Sequence, residues 1–352
     1  MSGPRILFVV DAGPGVGGGH LVRSLALAQA LAARGATPIF LSTPPVEEAL
    51  RILAPGTPRI SAPSGGPPGL IAAAAFAEAE AVAFDHFGLS REAHAAIGRG
   101  RPRLVVDELA NRPLGAELVV DDTPGRPLAA YAQLAPEARV LIGPQYAALR
   151  PEFSGLREAA LMRREGPVRR VLVALGLTDP EGLAGLVVSK LRARFGGLAI
   201  DIVLGADAAS RGGLERLAGR DARLSVHVET PDMGMLMAEA DIAVGAAGTS
   251  AWERCALALP SVAIAISDNQ RARATALAET GAALVVDRAS ATFEADLERA
   301  IVRLAASAGL RTRLAQTGAG LCDGLGGLRL ADALLGLIGA RDSLPHSQTQ
   351  EA

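Results

Sequence analysis

The stretch RILFVVDAGPGVGGGHLVRSLALAQALAARG, residues 5–35, gives the clearest indication of the architecture of this chain. Its first six residues are mostly apolar, which indicates a buried strand that ends just before Asp11. A glycine-rich loop follows, and the leucines and alanines after it recur at helical spacing. This strand, loop and helix form one βα unit of the kind that builds parallel sheets.

The same alternation of strand and helix patterns continues along the chain. Strands are predicted at residues 5–10, 37–42, 81–84, 103–106, 118–120 and 140–142, and again at 168–174, 198–204, 224–228, 242–244, 261–266 and 283–286. Each set is enough for one sheet. We therefore predict an α/β protein with two Rossmann-like domains, whose parallel sheets face an interdomain cleft where a ligand binds.

A chain of 352 residues is long enough for two domains. We predict an N-terminal domain at 1–150 and a C-terminal domain at 165–340, with a hinge in the proline- and charge-containing segment 149–167. Residues 54–69 are rich in proline, glycine and serine and are predicted to be a surface connection. Residues 341–352 lack any periodic pattern and are predicted to be a disordered tail.

Composition excludes several classes of function. Hydrophobic residues make up 49% of the chain, but no apolar run reaches about 18 residues, so no membrane association is expected. The amino-terminal apolar run is too short for a signal peptide, which predicts a cytoplasmic protein. A net charge of −2 argues against a nucleic-acid partner. Two cysteines outside any CxxC pair give no support for a structural zinc site.

His20 is the sharpest candidate for chemistry. It follows Gly17, Gly18 and Gly19 at the predicted start of the first helix. The positive end of the helix dipole favours a neutral imidazole, which suits a base. The alternative is that His20 only caps the loop.

The glycine loop also fits the dinucleotide pattern GxGxxG through Gly13, Gly15 and Gly18. An NAD site needs an acidic residue after the second strand, but Thr43 and two prolines stand there. We therefore expect no NAD and no other cofactor.

Acidic residues follow three predicted strands of the first half: Asp85 before His86, Asp107 with Glu108, and Asp121 with Asp122. Such acids orient a base or bind sugar hydroxyls, but they are also common helix caps. Their spacing resembles no metal-ligand motif, so no metal site is predicted.

The second half contains AVGAAGTSAWERCALALPSVAIAISDNQ at residues 243–270. Gly248, Thr249 and Ser250 lie at a strand-to-helix turn that suits a diphosphate. Glu253 is placed to accept ribose hydroxyls, or else to complement the helix dipole. Asn269 and Gln270 follow the next strand, and residues 176–179 form another such turn.

Several segments together resemble the UDP-2,4-diacetamido-2,4,6-trideoxy-β-L-altropyranose hydrolases of pseudaminic acid biosynthesis. They are GVGGGHLVRSLALA, FDHFGLS, VVDELANRP, LIGPQYAALRPEF, LGLTDPEGL, GAAGTSAWERCALALP, SDNQ and CDGLGGLRLAD. They run in order along nearly the whole chain. The wider resemblance is to the GT-B superfamily.

This resemblance implies a metal-independent nucleotide-sugar hydrolase that supplies sugars for flagellin or surface glycosylation. His20 would activate water to attack the anomeric carbon with inversion, and UDP would leave. The implied sugar and diphosphate residues of the N-terminal domain are Gly17, Gly18, Gly19, Arg23, Asp85, His86 and Phe87. The implied UDP residues of the C-terminal domain are Gly176, Leu177, Gly248, Thr249, Ser250, Glu253, Asn269 and Gln270. A monomer with a UDP-amino sugar as substrate is expected.

Two positions depart from the family pattern. Phe87 stands where the family usually has tyrosine, and Leu177 stands where it has glycine. Two alternatives therefore stay open: a GT-B glycosyltransferase that uses a UDP-amino sugar, and a non-catalytic nucleotide-sugar binding protein. Acceptor-dependent release of UDP would distinguish the former.

Overall fold

A computed structural model describes residues 3–13, 18–164, 166–176, 179 and 181–342. Gly17, Leu177 and Thr178 lie outside the described residues. The chain divides into two compact units. Unit 1 contains the described residues up to Asp122, residues 126–142 and the described residues from Gly327 onward, and unit 2 contains residues 123–125 and the described residues of 143–326.

Unit 1 is built on a seven-stranded sheet in the order β3-β2-β1-β4-β5-β6-β7. Its elements are β1 (Arg5–Val10), α1 (Gly19–Ala33), β2 (Thr37–Ser42), α2 (Pro44–Leu53), β3 (Arg59–Ser61), α3 (Pro67–Ala74), β4 (Ala81–Asp85), α4 (Arg91–Gly98), β5 (Arg103–Val106), β6 (Leu118–Asp121) and β7 (Arg139–Ile142). All its strand pairs are parallel. One core cluster joins the inner strands to the helices through residues such as Leu7, Phe84 and Ile97.

Unit 2 is built on a six-stranded parallel sheet in the order β10-β9-β8-β11-β12-β13. Its elements are α5 (Pro151–Arg163), β8 (Arg170–Ala174), α6 (Leu183–Arg194), β9 (Ala199–Leu204), α7 (Arg211–Ala218), β10 (Leu224–Val228), α8 (Met233–Glu239), β11 (Ile242–Ala246), α9 (Ser250–Ala256), β12 (Ser261–Ile264), α10 (Arg271–Thr280), β13 (Leu284–Val286), α11 (Phe293–Ala306) and α12 (Ala308–Leu321). The last helix, α13 (Gly326–Asp342), begins at the end of unit 2 and continues in unit 1. No helix in the described part of the chain is long and apolar enough to cross a membrane.

Strand order fixes where each unit can bind a ligand. The order reverses between β1 and β4 in unit 1, and between β8 and β11 in unit 2. In open parallel sheets a crevice forms at that reversal, outside the carboxyl ends of the strands. The loops after β1 and β4, and those after β8 and β11, are therefore the places to look for a site.

The predicted fold class is confirmed, and all the predicted strands are present with ends that agree within two residues. One strand was missed, because β3 has only three residues and pairs solely with β2 at the edge of the sheet. It lies inside segment 54–69, which was predicted to be a surface connection: the segment is mostly exposed, but it also contains β3 and the start of α3.

The division into units differs from the predicted domain boundaries in two places. The predicted hinge at 149–167 contains a 13-residue helix, α5, which belongs to unit 2. Helix α13 joins unit 1 from Gly327 onward, although the pattern placed it in the C-terminal domain. This helix also runs to Asp342, two residues into the predicted tail, and residues 343–352 lie outside the described residues.

Candidate functional site

His20 and Asp85 meet at the strand-order reversal of unit 1. Helix α1 begins at Gly19, so His20 lies in its first turn, and Asp85 is the last residue of β4. The Nδ1 atom of His20 lies 2.5 Å from Oδ1 of Asp85, and both side chains are almost fully buried. A carboxylate only accepts hydrogen bonds, so this contact places the proton on Nδ1 and leaves the lone pair on Nε2.

The second ring nitrogen of His20, Nε2, has no hydrogen-bond partner among the described residues. A histidine held at Nδ1 by a carboxylate, with Nε2 free, has the geometry of a general base.

Arg23 lies one turn further along α1 and binds two acids at once. Its Nε and Nη2 atoms donate to the two oxygens of Asp85 at 2.5 and 2.6 Å. Its Nη1 atom donates to both oxygens of Glu108, at 2.8 and 3.0 Å. Arg23 is 5% exposed, so its guanidinium is buried between these two carboxylates.

Asp85 stays ionised in this setting. Burial alone would raise the pKa of its carboxyl, but the positive charge of Arg23, the neighbouring His20 and the hydrogen bonds from both residues hold the pKa well below its usual range. The Asp85 side chain next to His20 is thus an ionised carboxylate and not a carboxylic acid.

Phe87 closes one side of His20. The two ring centroids are 4.5 Å apart in an edge-on arrangement, and the guanidinium of Arg112 lies 5.7 Å from the centre of the Phe87 ring. A cavity of about 200 Å³ lies beside Phe87 and is bordered by Ser90 and Pro113. The Phe87 ring therefore contacts His20 and also borders this small cavity.

His86 is oriented differently from His20. Its Nδ1 atom accepts a hydrogen bond from the backbone of Gly88 and lies 3.9 Å from a carboxylate oxygen of Asp11. Burial lowers the pKa of His86, and the charges of Asp11 and Asp85 oppose this only in part. His86 is thus predominantly neutral near pH 7.

A second polar layer lies at the ends of β5 and β6. Tyr131 points its hydroxyl at Asp107 Oδ2 (3.0 Å) and at Asp121 Oδ2 (2.9 Å). Arg112 pairs with Asp107 at 2.5 Å, and Arg126 pairs with Asp121 at 2.8 Å. Burial and the two carboxylates raise the pKa of Tyr131, so it remains a neutral donor. This layer holds Arg112 over Phe87.

Two predicted ligand residues in unit 1 have polar atoms that contact other side chains of the same unit. Asp85 and Arg23 were predicted to contact sugar or diphosphate, but their polar atoms bind each other, His20 and Glu108. Gly18 and Gly19 precede His20 at the start of α1, and Gly17 lies outside the described residues. Sequence reasoning missed Glu108 as a partner of Arg23, and it missed Arg112 and Tyr131, because nothing in their local sequence indicates these long-range contacts.

In unit 2 the predicted UDP residues converge at the carboxyl ends of adjacent strands. Gly176 follows β8 with a φ of +94°, and a methyl group there would lie 3.1 Å from Ile266. Gly248 follows β11, and a methyl group there would lie 3.3 Å from the Gln270 amide. Asn269 belongs to a short 3₁₀ turn with Gln270 and accepts a hydrogen bond from Ser267. The two glycines thus let the side chains of Ile266 and Gln270 approach the backbone closely at this edge of the sheet.

Glu253 lies one turn into α9 and is buried. Its nearest described ion-pair partner is Arg150, with 3.9 Å between the charged atoms. Burial raises the pKa of Glu253 above its usual range, despite the opposing charges of Arg150 and Arg254. Helix α9 has only seven residues, so its dipole alone does not make the turn at Thr249 and Ser250 an anion site.

Among the described residues no group of three or more histidine, cysteine, aspartate or glutamate side chains is placed to hold a metal ion. Trp252 is fully buried, in agreement with a core role. The two cysteines, Cys255 and Cys322, are both buried.

The two parallel sheets and their strand orders are those of the GT-B fold. The structure of Acinetobacter baumannii MurG matches with a TM-score of 0.65 and 18% identity, covering 95% of this chain and 99% of that one. Arabidopsis thaliana UGT89C1, in a structure with UDP, matches with a TM-score of 0.61 and 14% identity, covering 94% and 99%. At these identities the likeness shows the fold alone.

Sequence comparison points the same way within unit 2. Residues 224–317 match the family described as glycosyltransferase family 28 C-terminal domain. The spore coat polysaccharide biosynthesis protein SpsG of Bacillus subtilis is 28% identical over 198 residues, which cover 56% of this chain and 58% of SpsG. The chain thus spans less than two thirds of that relative.

These comparisons contradict the expected nucleotide-sugar hydrolase. Residues 224–317 match a glycosyltransferase family, and the chain shares the GT-B fold along nearly its whole length. The sequence expectation is wrong in reaction class. Two of the segments that carried it, GAAGTSAWERCALALP and SDNQ, lie within the residues that match the glycosyltransferase family, so they do not distinguish a hydrolase from a transferase.

Proposed function

We propose that this chain is a glycosyltransferase of the GT-B type that transfers a sugar from a UDP-linked donor to a hydroxyl acceptor, with His20 as the base. The observation that carries the proposal is the buried His20–Asp85 pair at the strand-order reversal of unit 1. The glycosyltransferase family match in unit 2 supports the donor class. The sequence resemblance favours an amino sugar as the transferred group.

Unit 2 is proposed to hold the nucleotide. Gly176 is exposed and Gly248 is partly exposed, Thr249 and Ser250 lie at the start of α9, and Asn269 lies in the 3₁₀ turn with Gln270. Leu177 follows Gly176 in the sequence and is proposed to belong to the same site. Glu253 is proposed to accept the ribose hydroxyls, because its buried carboxylate has only a distant ion-pair partner. A ligand hydroxyl that donates to this carboxylate would relieve its burial cost.

Unit 1 is proposed to supply the base. Nε2 of His20 takes the proton of the acceptor hydroxyl while the acceptor oxygen attacks the anomeric carbon. The bond from that carbon to the diphosphate oxygen breaks, and UDP leaves with the electron pair. Asp85 stabilises the imidazolium at His20, and a single displacement of this kind inverts the anomeric configuration. The cavity beside Phe87 is proposed as the entry for the acceptor.

The test measures UDP binding and UDP release separately. Isothermal titration with UDP, with ADP as the control nucleotide, should show binding to the wild type and to His20→Asn alike. Release of UDP from UDP-N-acetylhexosamines should require an added saccharide acceptor. His20→Asn should reduce this release by about 10²-fold or more.

His227→Asn is the matched control, because His227 also pairs with a buried aspartate, Asp201, but lies in unit 2. It should leave acceptor-dependent release unchanged. Binding of UDP with no release for any acceptor would favour a non-catalytic binding protein. Equal release by wild type and His20→Asn would remove His20 from the mechanism.

A further inference from the structure

Two buried acids of unit 1 share one arginine, whereas two others each have an arginine of their own. Asp107 has Arg112, and Asp121 has Arg126, each at hydrogen-bond distance. Asp85 and Glu108 instead share one cation, Arg23. The three side chains of this last group together carry one net negative charge, at a place where solvent screening is weak.

That negative charge faces His20. Nδ1 of His20 contacts Asp85 at 2.5 Å, and Nη2 of Arg23 lies 3.3 Å from the same nitrogen. With Glu108 present, protonation of His20 gives a balanced cluster of two cations and two anions. Without Glu108, Arg23 would neutralise Asp85, and a protonated His20 would be a buried charge with no counterpart, which is costly.

We propose that Glu108 is a positioning residue for His20: it balances the charge of Arg23 and thereby leaves the charge of Asp85 to the imidazolium that forms during the reaction. Glu108 acts through Arg23, since both of its oxygens bind Nη1 of that arginine. The inference rests on the proposed function, in which His20 accepts a proton.

Other charged groups also face His20, and they set the background against which Glu108 acts. Arg23 comes from α1, Asp85 from the end of β4, and His86 from the loop that follows. Asp11, after β1, lies near His86, and Arg112 is separated from His20 by the Phe87 ring. Glu108→Gln changes none of these side chains.

The test follows the ring of His20 by NMR in histidine-labelled protein. The chain has five histidines, and the signal missing from His20→Asn identifies the right one. In Glu108→Gln the midpoint of the His20 titration should fall by about one pH unit. Glu108→Asp keeps the negative charge, so the midpoint of the His20 titration should stay near that of the wild type.

Glu117→Gln is the matched control. Glu117 is also paired with an arginine of unit 1, Arg103, at 2.6 Å, but it lies at the amino ends of β5 and β6, opposite to His20. It should leave the midpoint unchanged. An equal shift in Glu117→Gln, or no shift in folded Glu108→Gln, would overturn the proposal.

A second variant keeps the test decisive if Glu108→Gln does not fold. Arg23→Gln removes the shared cation, so the midpoint should rise. The double variant Arg23→Gln, Glu108→Gln restores one net negative charge and should return the midpoint toward the wild type. A downward shift in Arg23→Gln would contradict the charge balance.

The kinetic readout separates positioning from general damage. In Glu108→Gln the acidic limb of the pH profile for UDP release should move to lower pH by about one unit, while the plateau rate falls about tenfold because the base is weaker. Loss of structure would lower the plateau without moving the limb. The NMR shifts require no acceptor, so their presence without acceptor-dependent release would count against the proposed function alone.

Discussion

Asp85 links the chemistry of unit 1 to its stability, because a single buried carboxylate accepts hydrogen bonds from His20, Arg23 and Ser24. Its pKa in the folded protein is lower than the value of about 3.9 expected for an unfolded chain. The folded state therefore binds fewer protons than the unfolded state in acid. This contribution to stability is fully present above about pH 5 and is lost as the pH falls toward the folded value.

Asp85→Asn should therefore be less stable than the wild type at pH 7, and the difference should shrink as the pH falls from 5 to 3. Urea unfolding at several pH values measures this directly. Asp201→Asn is a suitable comparison, because Asp201 is a buried acid paired with Arg170 in unit 2. A difference between Asp85→Asn and wild type that grows on acidification would mean that the sign of the linkage is wrong.

The sequence indicated which residues form the site, such as His20 and Asp85, but not which side chains contact each other there. His20 and Asp85 were found because each ends a recognisable pattern, one a glycine loop and the other an apolar strand. The hydrogen bond from Arg23 to Glu108 joins residues 85 positions apart. The sequence alone therefore did not show whether Glu108 orients a base, binds a sugar or caps a helix. Contacts of this kind depend on sheet order, which local periodicity does not specify.

At the scale of elements, the strands were predictable because buried parallel strands are continuous apolar runs. β3 escaped because the segment RIS is short, polar at both ends and only partly buried. Helix α5 escaped because only two of its residues, Phe153 and Ala160, are buried, so its apolar face is narrow. Strands and helices at the edge of a unit bury fewer residues, so their apolar sequence patterns are weaker than those of central strands.

The start of α13 depends on a glycine. A methyl group at Gly326 would lie 2.6 Å from the carbonyl carbon of Tyr146 and 2.7 Å from the nitrogen of Ala147. Both obstacles are backbone, so they cannot rotate away as side chains do. Gly326→Ala should therefore lower the free energy of unfolding by about 1–3 kcal/mol, as measured by denaturant titration.

Gly336 lies in the same helix and provides the control. No heavy atom lies within 4 Å of the position a methyl group would occupy there. Gly336→Ala should stabilise the protein by about 0.5–1 kcal/mol, because alanine loses less backbone entropy in a helix. If both substitutions change stability in the same direction, the contact at Gly326 is not what distinguishes them.

At the scale of the whole molecule, the chain does not divide at a single point. The pattern of strands predicted two consecutive domains, whereas the described part of the chain after Gly326 belongs with unit 1. Sequence periodicity shows that α13 is a helix with buried positions, among them Leu330 and Leu334, but not which sheet those positions cover. An ion pair between Arg34 and Asp332 is visible only in the folded chain.

Because α13 belongs to unit 1, a substitution that weakens the packing of this helix should destabilise the strands of unit 1 and not those of unit 2. Leu334 is fully buried, so Leu334→Ala should cost about 2–5 kcal/mol. Because unit 1 contains α13, amide hydrogen exchange should become faster in β1 and β2 and should stay unchanged in β8 and β9. Leu304→Ala, in α11, removes an equally buried leucine from a core cluster of unit 2, so it should give the reverse pattern. Faster exchange in β8 and β9 of Leu334→Ala would instead support the consecutive domains that the sequence pattern predicted.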